Sequence, residues 1–407
     1  MIININKKHF FAVTFAIFLS ACGGGGGSSV TSLSSLVDTS DPTQFDNEPY
    51  TKYAWHFSEK NNSFSNINNI DPNSHINMIG AWNLSTGSYK VGALKDQAVK
   101  VAIIDDNFNI NHEDFKDNVI AKCNFNNYFG AILSSDVLTY CNQSINQDVS
   151  PSTGSSSHGT AVTNFIAGAS NSKGLIGAAP DAQVILIKQE FVSDTMTTGA
   201  FEYARAMGAK VINCSWGTTN GPSAAVTSKI AELKAEGINI VFAAGNDNLD
   251  LDASSLIDES ELESVIGVGS SNSENDRSSF SNYGSAMDIM APGGGIIGVL
   301  SAFVPNSDSD AVTNGLNIDN QNYSFTQGTS FSAPITSGVI ALMLGVNPDL
   351  TPDEIRTILI ETADKIKSDT ESYIDIVGDG TTSTFNTQRA YGKINAAKAI
   401  IKAKSLY

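Results

Sequence analysis

Short, largely apolar runs recur along this chain, and two of the stretches between them are helix-like and stop at a glycine. Val99–Ile104, Gln183–Ile187, Lys210–Cys214, Ile238–Ala243 and Val265–Val268 read as strands. Ala200–Met207 stops at Gly208, and Ala224–Glu236 stops at Gly237. A strand with no polar face is buried on both sides, and a glycine after a helix closes it in the left-handed conformation. The alternation therefore predicts an α/β fold with a mostly parallel sheet covered by helices on both faces and joined by right-handed crossovers. Thr351-Pro352-Asp353-Glu354 adds a capping box with proline at the first helical position, opening a helix to about Ala363. No internal repeat is visible.

Three motifs stand out against this frame: VAIIDD ending at Asp106, SHGTAV around His158, and GTSFSAP around Ser330. A serine hydroxyl needs a base to take its proton, and an imidazole base needs a carboxylate to orient it. Taken singly, each has an ordinary explanation. Asp105 could cap a helix or lie in a solvated loop, with Asp106 as a competitor. Ser330 could be a simple N-cap of the helix SFSAPITSGVIALML, with Pro334 in its first turns. His158 suits an imidazole at a helix start. His9, His56, His75 and His112 read as structural or surface residues. INIVFAAGNDN supplies a fourth element, an apolar strand running into Ala244-Gly245-Asn246.

Together and in this order, the motifs resemble the subtilisin-like serine proteases, the subtilase family, from roughly Tyr50 to Ile400. The resemblance implies the three-layer subtilisin-like fold and an Asp105–His158–Ser330 triad. Asp105 is favoured over Asp106 because the family carboxylate directly follows the apolar strand. It implies that the Asn246 side chain and the Ser330 backbone N–H hold the oxyanion, such donors being worth roughly 10²–10³-fold in rate each. CSWGTTN resembles the edge segment that pairs with an extended substrate, through backbone groups of Ser215, Trp216 and Gly217. YAWHF, INMIGAWNLSTG, the stretch Val265–Gly294 and YGKINAAKAI follow family patterns as well. Where family members often have a small or proline-containing pocket floor, this chain has Asp258 and Glu259, so a preference for Lys or Arg before the cleaved bond is expected. The plainer alternative is a solvated acidic loop.

Protein or peptide substrates and a monomer are expected. No cofactor is required for the chemistry. Structural Ca²⁺ is allowed by the resemblance and by the acidic loops, and no metal ligands are assigned. Two other functions stand as alternatives: a catalytically inactive surface-binding protein on the same scaffold, and an esterase or lipase. The latter places serine before its partners within GxSxG, unlike GTSFSAP.

The first residues, MIININKKHFFAVTFAIFLSAC, join a basic pair, Lys7 and Lys8, to an apolar core, Phe10–Leu19, as a signal peptide does. Leu19-Ser20-Ala21-Cys22 resembles a bacterial lipobox, which makes Cys22 the lipid-modified N-terminus; ordinary secretion with cleavage near Ala21 is the alternative. The expected division is 1–21 signal peptide, 22–48 lipidated Cys and Gly/Ser-rich flexible linker, and 49–407 peptidase domain. Gly23 stands where an Asp often retains lipoproteins in the inner membrane, so the expected location is exported and anchored to the outer membrane. The linker resembles that of lipid-anchored protease autotransporters, without a following C-terminal barrel, and it leaves little room for the family's folding propeptide. No later stretch is expected to span a bilayer. Residues 1–21 hold two bases and no acids, so 24 − 2 = 22 bases against 42 acids leave −20 on the rest. Such a surface repels nucleic acid. Cys123 and Cys141 could pair in an oxidising compartment, and Cys214, ending an apolar strand, is expected to be a buried free thiol.

Overall fold

The computed structural model describes residues 48–58, 70–94, 96–130, 133–151, 158–218, 220–254, 257–295, 297–303, 322–375 and 383–407. The signal peptide, Cys22 and the Gly/Ser linker lie outside these residues.

Seven strands form one sheet: β1 (Lys100–Asp105), β2 (Val119–Asn124), β3 (Gln183–Lys188), β4 (Val211–Cys214), β5 (Asn239–Ala243), β6 (Ile266–Ser271) and β7 (Ile289–Pro292). Their order is β2-β3-β1-β4-β5-β6-β7, and every pairing is parallel. A small antiparallel hairpin adds β8 (Val299–Ala302) and β9 (Tyr323–Thr326). The helices are α1 (Met78–Trp82), α2 (Ser134–Cys141), α3 (His158–Ala167), α4 (Asp194–Ala206), α5 (Ala224–Ala235), α6 (Thr329–Val346), α7 (Pro352–Thr362) and α8 (Ala396–Ser405).

Alternate side chains of each strand enter different cores, as a pleated sheet requires. Val101 and Ile103 belong to the core shared with α3, α6 and α8, whereas Ala102 and Ile104 belong to the core shared with α2, α4 and α5. The three-layer reading therefore holds. Ala54, Trp55, Phe57, Ile76 and Met78 share the larger core with Ile400 and Ala403, so both ends of the described chain belong to one packed body.

Several boundaries differ from the sequence reading. Asp105 is the last residue of β1 rather than the residue after it. α4 begins at Asp194, because the Ser193 hydroxyl accepts the Met196 N–H and starts a helix through a Thr/Gly stretch that pattern alone does not favour. α6 begins at Thr329, with Gly328 as its N-cap and Ser330 one residue further in. α6 also has the length and hydropathy of a bilayer span, contrary to expectation, yet 94% of it is buried. It is the central core helix, wedged between the sheet and α3 and α8. α7 carries both hydrogen bonds of the expected capping box, between Thr351 and Glu354.

Candidate active site

The strand order reverses direction around β1. The chain adds β2 and β3 on one side of it and β4 to β7 on the other. In open parallel sheets the crevice at the carboxyl ends of strands beside such a reversal is the place where ligands bind. Asp105 ends β1, Ser215 follows β4, and Asn246 lies just beyond β5.

Asp105 and Asp106 have separate tasks. His158 Nδ1 lies 2.8 Å from Asp105 Oδ1, which also accepts the Asp106 N–H at 2.9 Å. Asp106 Oδ1 accepts the Gly159 N–H at 3.0 Å and so caps α3, whose first residue is His158. One carboxylate orients the ring, and the next anchors the helix that carries it. An ionised carboxylate only accepts hydrogen bonds, so the imidazole hydrogen sits on Nδ1, and Nε2 is the acceptor. Burial pushes the Asp105 carboxyl above its ordinary value, and His158 opposes that rise. The Asp105 side chain is 3% exposed and that of His158 is 18% exposed, so the ring can meet a substrate while its orienting group stays dry.

Gly159 makes this contact sterically feasible. A Cβ there would lie 2.6 Å from Asn107 O, 2.8 Å from Phe108 Cε1 and 3.1 Å from Asp105 Cβ. No other residue lets α3 start so close to the end of β1.

Ser330 is held from the β4 side. Its hydroxyl lies 3.2 Å from Ser215 O, and the Ser215 hydroxyl donates to Ser330 O at 2.7 Å. That carbonyl is available because of Pro334: an ordinary residue four positions on would donate its N–H to Ser330 O, and proline has none. Behind Ser215, Asn213 Nδ2 donates to its hydroxyl at 2.9 Å, and Ser337 Oγ donates to Asn213 Oδ1 at 2.9 Å. Asn213 and Ser337 are fully buried. Phe331 packs its ring 5.3 Å from the His158 ring and 5.6 Å from that of Phe165, clamping α6 to α3.

Asn246 is oriented just as firmly. Its Oδ1 accepts both the Thr329 N–H, at 2.8 Å, and the Thr329 hydroxyl, at 3.0 Å. With the oxygen so fixed, Nδ2 is the donor end. It lies 3.6 Å from where a Cβ on Gly328 would stand, immediately before the Thr329–Ser330 turn. Gly328 adopts φ +148°, a conformation that disfavours a side chain.

The remaining predicted residues fall around this centre. Trp216 donates its indole N–H to Ile104 O at 3.0 Å and packs edge-on to Phe242, so its ring supports the edge segment from below. Gly217 is exposed. Asp258 lies against Gly217, and burial raises its carboxyl. Glu259 departs from the expected pocket floor: it is buried, and its carboxylate accepts the N–H and hydroxyl of Thr218. Cys214 is buried and free, with its thiol raised well above the ordinary value by burial. Cys123 and Cys141 form a disulfide, with Cα atoms 5.3 Å apart, that ties β2 to the end of α2. His56 and His112 are buried.

Sequence reasoning did not single out Asn213, Ser337, Thr329 or Gly159's clearance. A polar Asn inside the apolar run VINC was the one signal available for the first. Among the described residues, Asp105, Asp106 and His158 also form the one cluster with metal-ligand geometry. Each carboxylate there already accepts backbone or imidazole donors, as described above.

Known proteins resemble the chain over the segments that carry these residues. A family profile described as the subtilase family matches residues 96–393. A probable subtilase-type serine protease of Deinococcus radiodurans is 30% identical over 306 residues, 72% of this chain; the chain spans only 39% of that protein. Subtilisin DY of Bacillus licheniformis is 30% identical over 273 residues, 66% of this chain and 85% of the relative. A solved protease structure from Pseudoalteromonas arctica superposes with a TM-score of 0.63 at 26% identity, covering 88% of this chain and 99% of that one. With a family profile spanning most of its length, the chain belongs to the subtilase family.

Proposed function

We propose that this chain is a serine endopeptidase that hydrolyses peptide bonds through an acyl-enzyme intermediate. The observation that carries the reading is the Asp105–His158 contact of 2.8 Å, at the same sheet rim where Ser215 fixes Ser330.

The Ser330 hydroxyl attacks the peptide carbonyl while His158 Nε2 takes its proton. The imidazolium so formed is stabilised by the Asp105 carboxylate, which stays ionised. Negative charge on the carbonyl oxygen is met by Asn246 Nδ2 and the Ser330 N–H, the latter at the positive end of α6. His158 then protonates the leaving amine. Water, deprotonated by the same ring, hydrolyses the ester and restores the serine. The substrate lies extended along Ser215–Gly217 and forms backbone hydrogen bonds there. No step uses a metal ion, and calcium enters this proposal only as a structural ion.

The test is Ser330→Ala. The parent protein should cleave casein, and the variant should not; equal cleavage by both would reject Ser330 as the nucleophile. An inactive binding protein would leave casein intact in both forms. The proposal extends to placement: export, lipid attachment at Cys22 and anchoring to the outer membrane. The lipobox resemblance and the Cys123–Cys141 disulfide support it. Cys22→Ser should move the protein from the membrane fraction to the soluble one, and unchanged membrane retention would count against the anchor.

A further inference from the structure

The face of Gly217 that would carry a side chain is closed by a carboxylate. A Cβ there would lie 2.8 Å from Asp258 Oδ2. Beyond this point the two segments stay together. Thr218 donates to both oxygens of Glu259, at 2.9 and 2.7 Å, and a Cβ on Gly221 would meet Ile257 O at 2.4 Å. The other side of the acidic segment rests on the sheet, where the Ser260 carbonyl lies 2.3 Å from a Cβ position on Gly267 of β6. Gly267 pairs with Phe242 of β5, the strand that leads to Asn246. Asp258 therefore sits against the edge segment after β4, at the start of a turn that packs on β5 and β6.

In the proposed pose, with the substrate extended along Ser215–Gly217 and one residue's carbonyl at Ser330, the side chain of that residue would pass Gly217 and meet Asp258. The acid it meets has acceptor capacity to spare. The Asp258 side chain caps the turn, with Oδ1 accepting the Ser260 N–H at 2.8 Å and the carboxylate also meeting the Glu261 N–H, while Oδ2 is turned toward Gly217. Glu259 differs, since both its oxygens are taken by Thr218. Among the described residues, neither Asp258 nor Glu259 takes part in an ion pair.

We infer that Asp258 selects a cationic side chain, Lys or Arg, at the substrate residue whose carbonyl Ser330 attacks. The inference rests on the peptidase reading above and adds its substrate class. A Leu or Phe side chain there would cover a carboxylate and leave it unpaired, whereas an ammonium or guanidinium would pair with it. Selection thus comes from the penalty on the wrong residue as much as from attraction to the right one.

The test uses the full chain and fluorogenic peptides that differ only at that residue: Lys, Arg, Leu or Phe. A hydrogen bond to a charged group is worth roughly tenfold to a hundredfold in kcat/KM, so Lys and Arg should exceed Leu by about that factor. Asp258→Asn removes the charge and keeps a residue able to cap the 259–261 turn. It should bring the Lys-to-Leu ratio down by at least about tenfold. Asp258→Ser, also a good cap, is the second variant. As a readout independent of turnover, Ser330→Ala protein should bind the fluorescent amidine 4-aminobenzamidine, and the added Asp258→Asn change should abolish that binding. A parent protein that prefers Leu or Phe, or a Lys-to-Leu ratio unmoved by both substitutions, would overturn the inference and leave the peptidase standing. Failure to cleave any peptide would overturn the peptidase reading, and this inference with it.

Discussion

Replacing Gly159 by alanine tests how the candidate site is assembled, because the substitution adds one methyl group and touches no reacting atom. Gly159 has no positive φ, so alanine meets no backbone strain. The difficulty is space: the new Cβ would sit 2.6 Å from Asn107 O and 2.8 Å from Phe108 Cε1. An ordinary contact is about 3.5 Å, so the start of α3 must retreat by close to 1 Å. Asn107 O is backbone in the turn after β1 and has little freedom to yield. His158, the residue before Gly159, would move with the helix and lengthen its 2.8 Å contact to Asp105. A displacement of about 1 Å in a catalytic group costs on the order of 10²-fold in rate, and overpacking typically costs about 1–3 kcal/mol of stability. The expected result is a fall in kcat on a peptide substrate of about 10²-fold, in a protein that still unfolds cooperatively at a lowered Tm. A variant with kcat within about threefold of the parent would refute the claim that this clearance sets the imidazole in place.

Other outcomes follow from the same geometry. Asp105→Asn should lower kcat by about 10⁴-fold with the fold intact, because an amide in place of the carboxylate no longer fixes the hydrogen on His158 Nδ1; a loss under tenfold would contradict the orienting role. Asp114 is fully buried, and burial pushes its carboxyl up to about 7 from 3.8, against the lowering effect of Tyr323 and Leu175. Between these values the folded protein holds a proton that the unfolded chain releases, so stability falls as pH rises from about 4 to 7. Asp114→Asn should remove that penalty, at most about 4 kcal/mol, and flatten the difference in urea-unfolding free energy between pH 5 and pH 8. An unchanged difference would show that Asp114 is not its source.

What the amino-acid order reveals depends on how local the cause is. β1, β3, β4, β5 and β6 are buried along nearly all their length around short apolar runs and lie inside the sheet, so their burial is written largely in consecutive residues. β2 and β7 are the sheet edges. β2 is only partly buried, and Lys122 and Asn124 interrupt its apolar run; β7, Ile289–Pro292, is apolar and fully buried but only four residues long and ends in a proline, which weakens it as a strand signal. Asp105, His158, Ser330 and Asn246 were legible because each sits in a short motif at the end of a strand or the start of a helix. The residues that hold them were not. Ser215 meets Ser330 across 115 positions, Thr329 meets Asn246 across 83, and Ser337 meets Asn213 across 124. Hydrogen bonds between such distant positions are set by the packing of α6 on β4 and β5, which no local pattern encodes. Asp258 was visible as an acidic residue, but its placement against Gly217 required the fold.

The most direct measurement is the site of covalent capture. The protein is treated with a fluorophosphonate, digested, and the adduct located by tandem mass spectrometry. The adduct should map to the Ser330 hydroxyl alone, and its rate of formation should collapse in His158→Ala. An adduct on another serine, or a Ser330 adduct that forms equally fast without the imidazole, would contradict the proposed alliance of Asp105, His158 and Ser330.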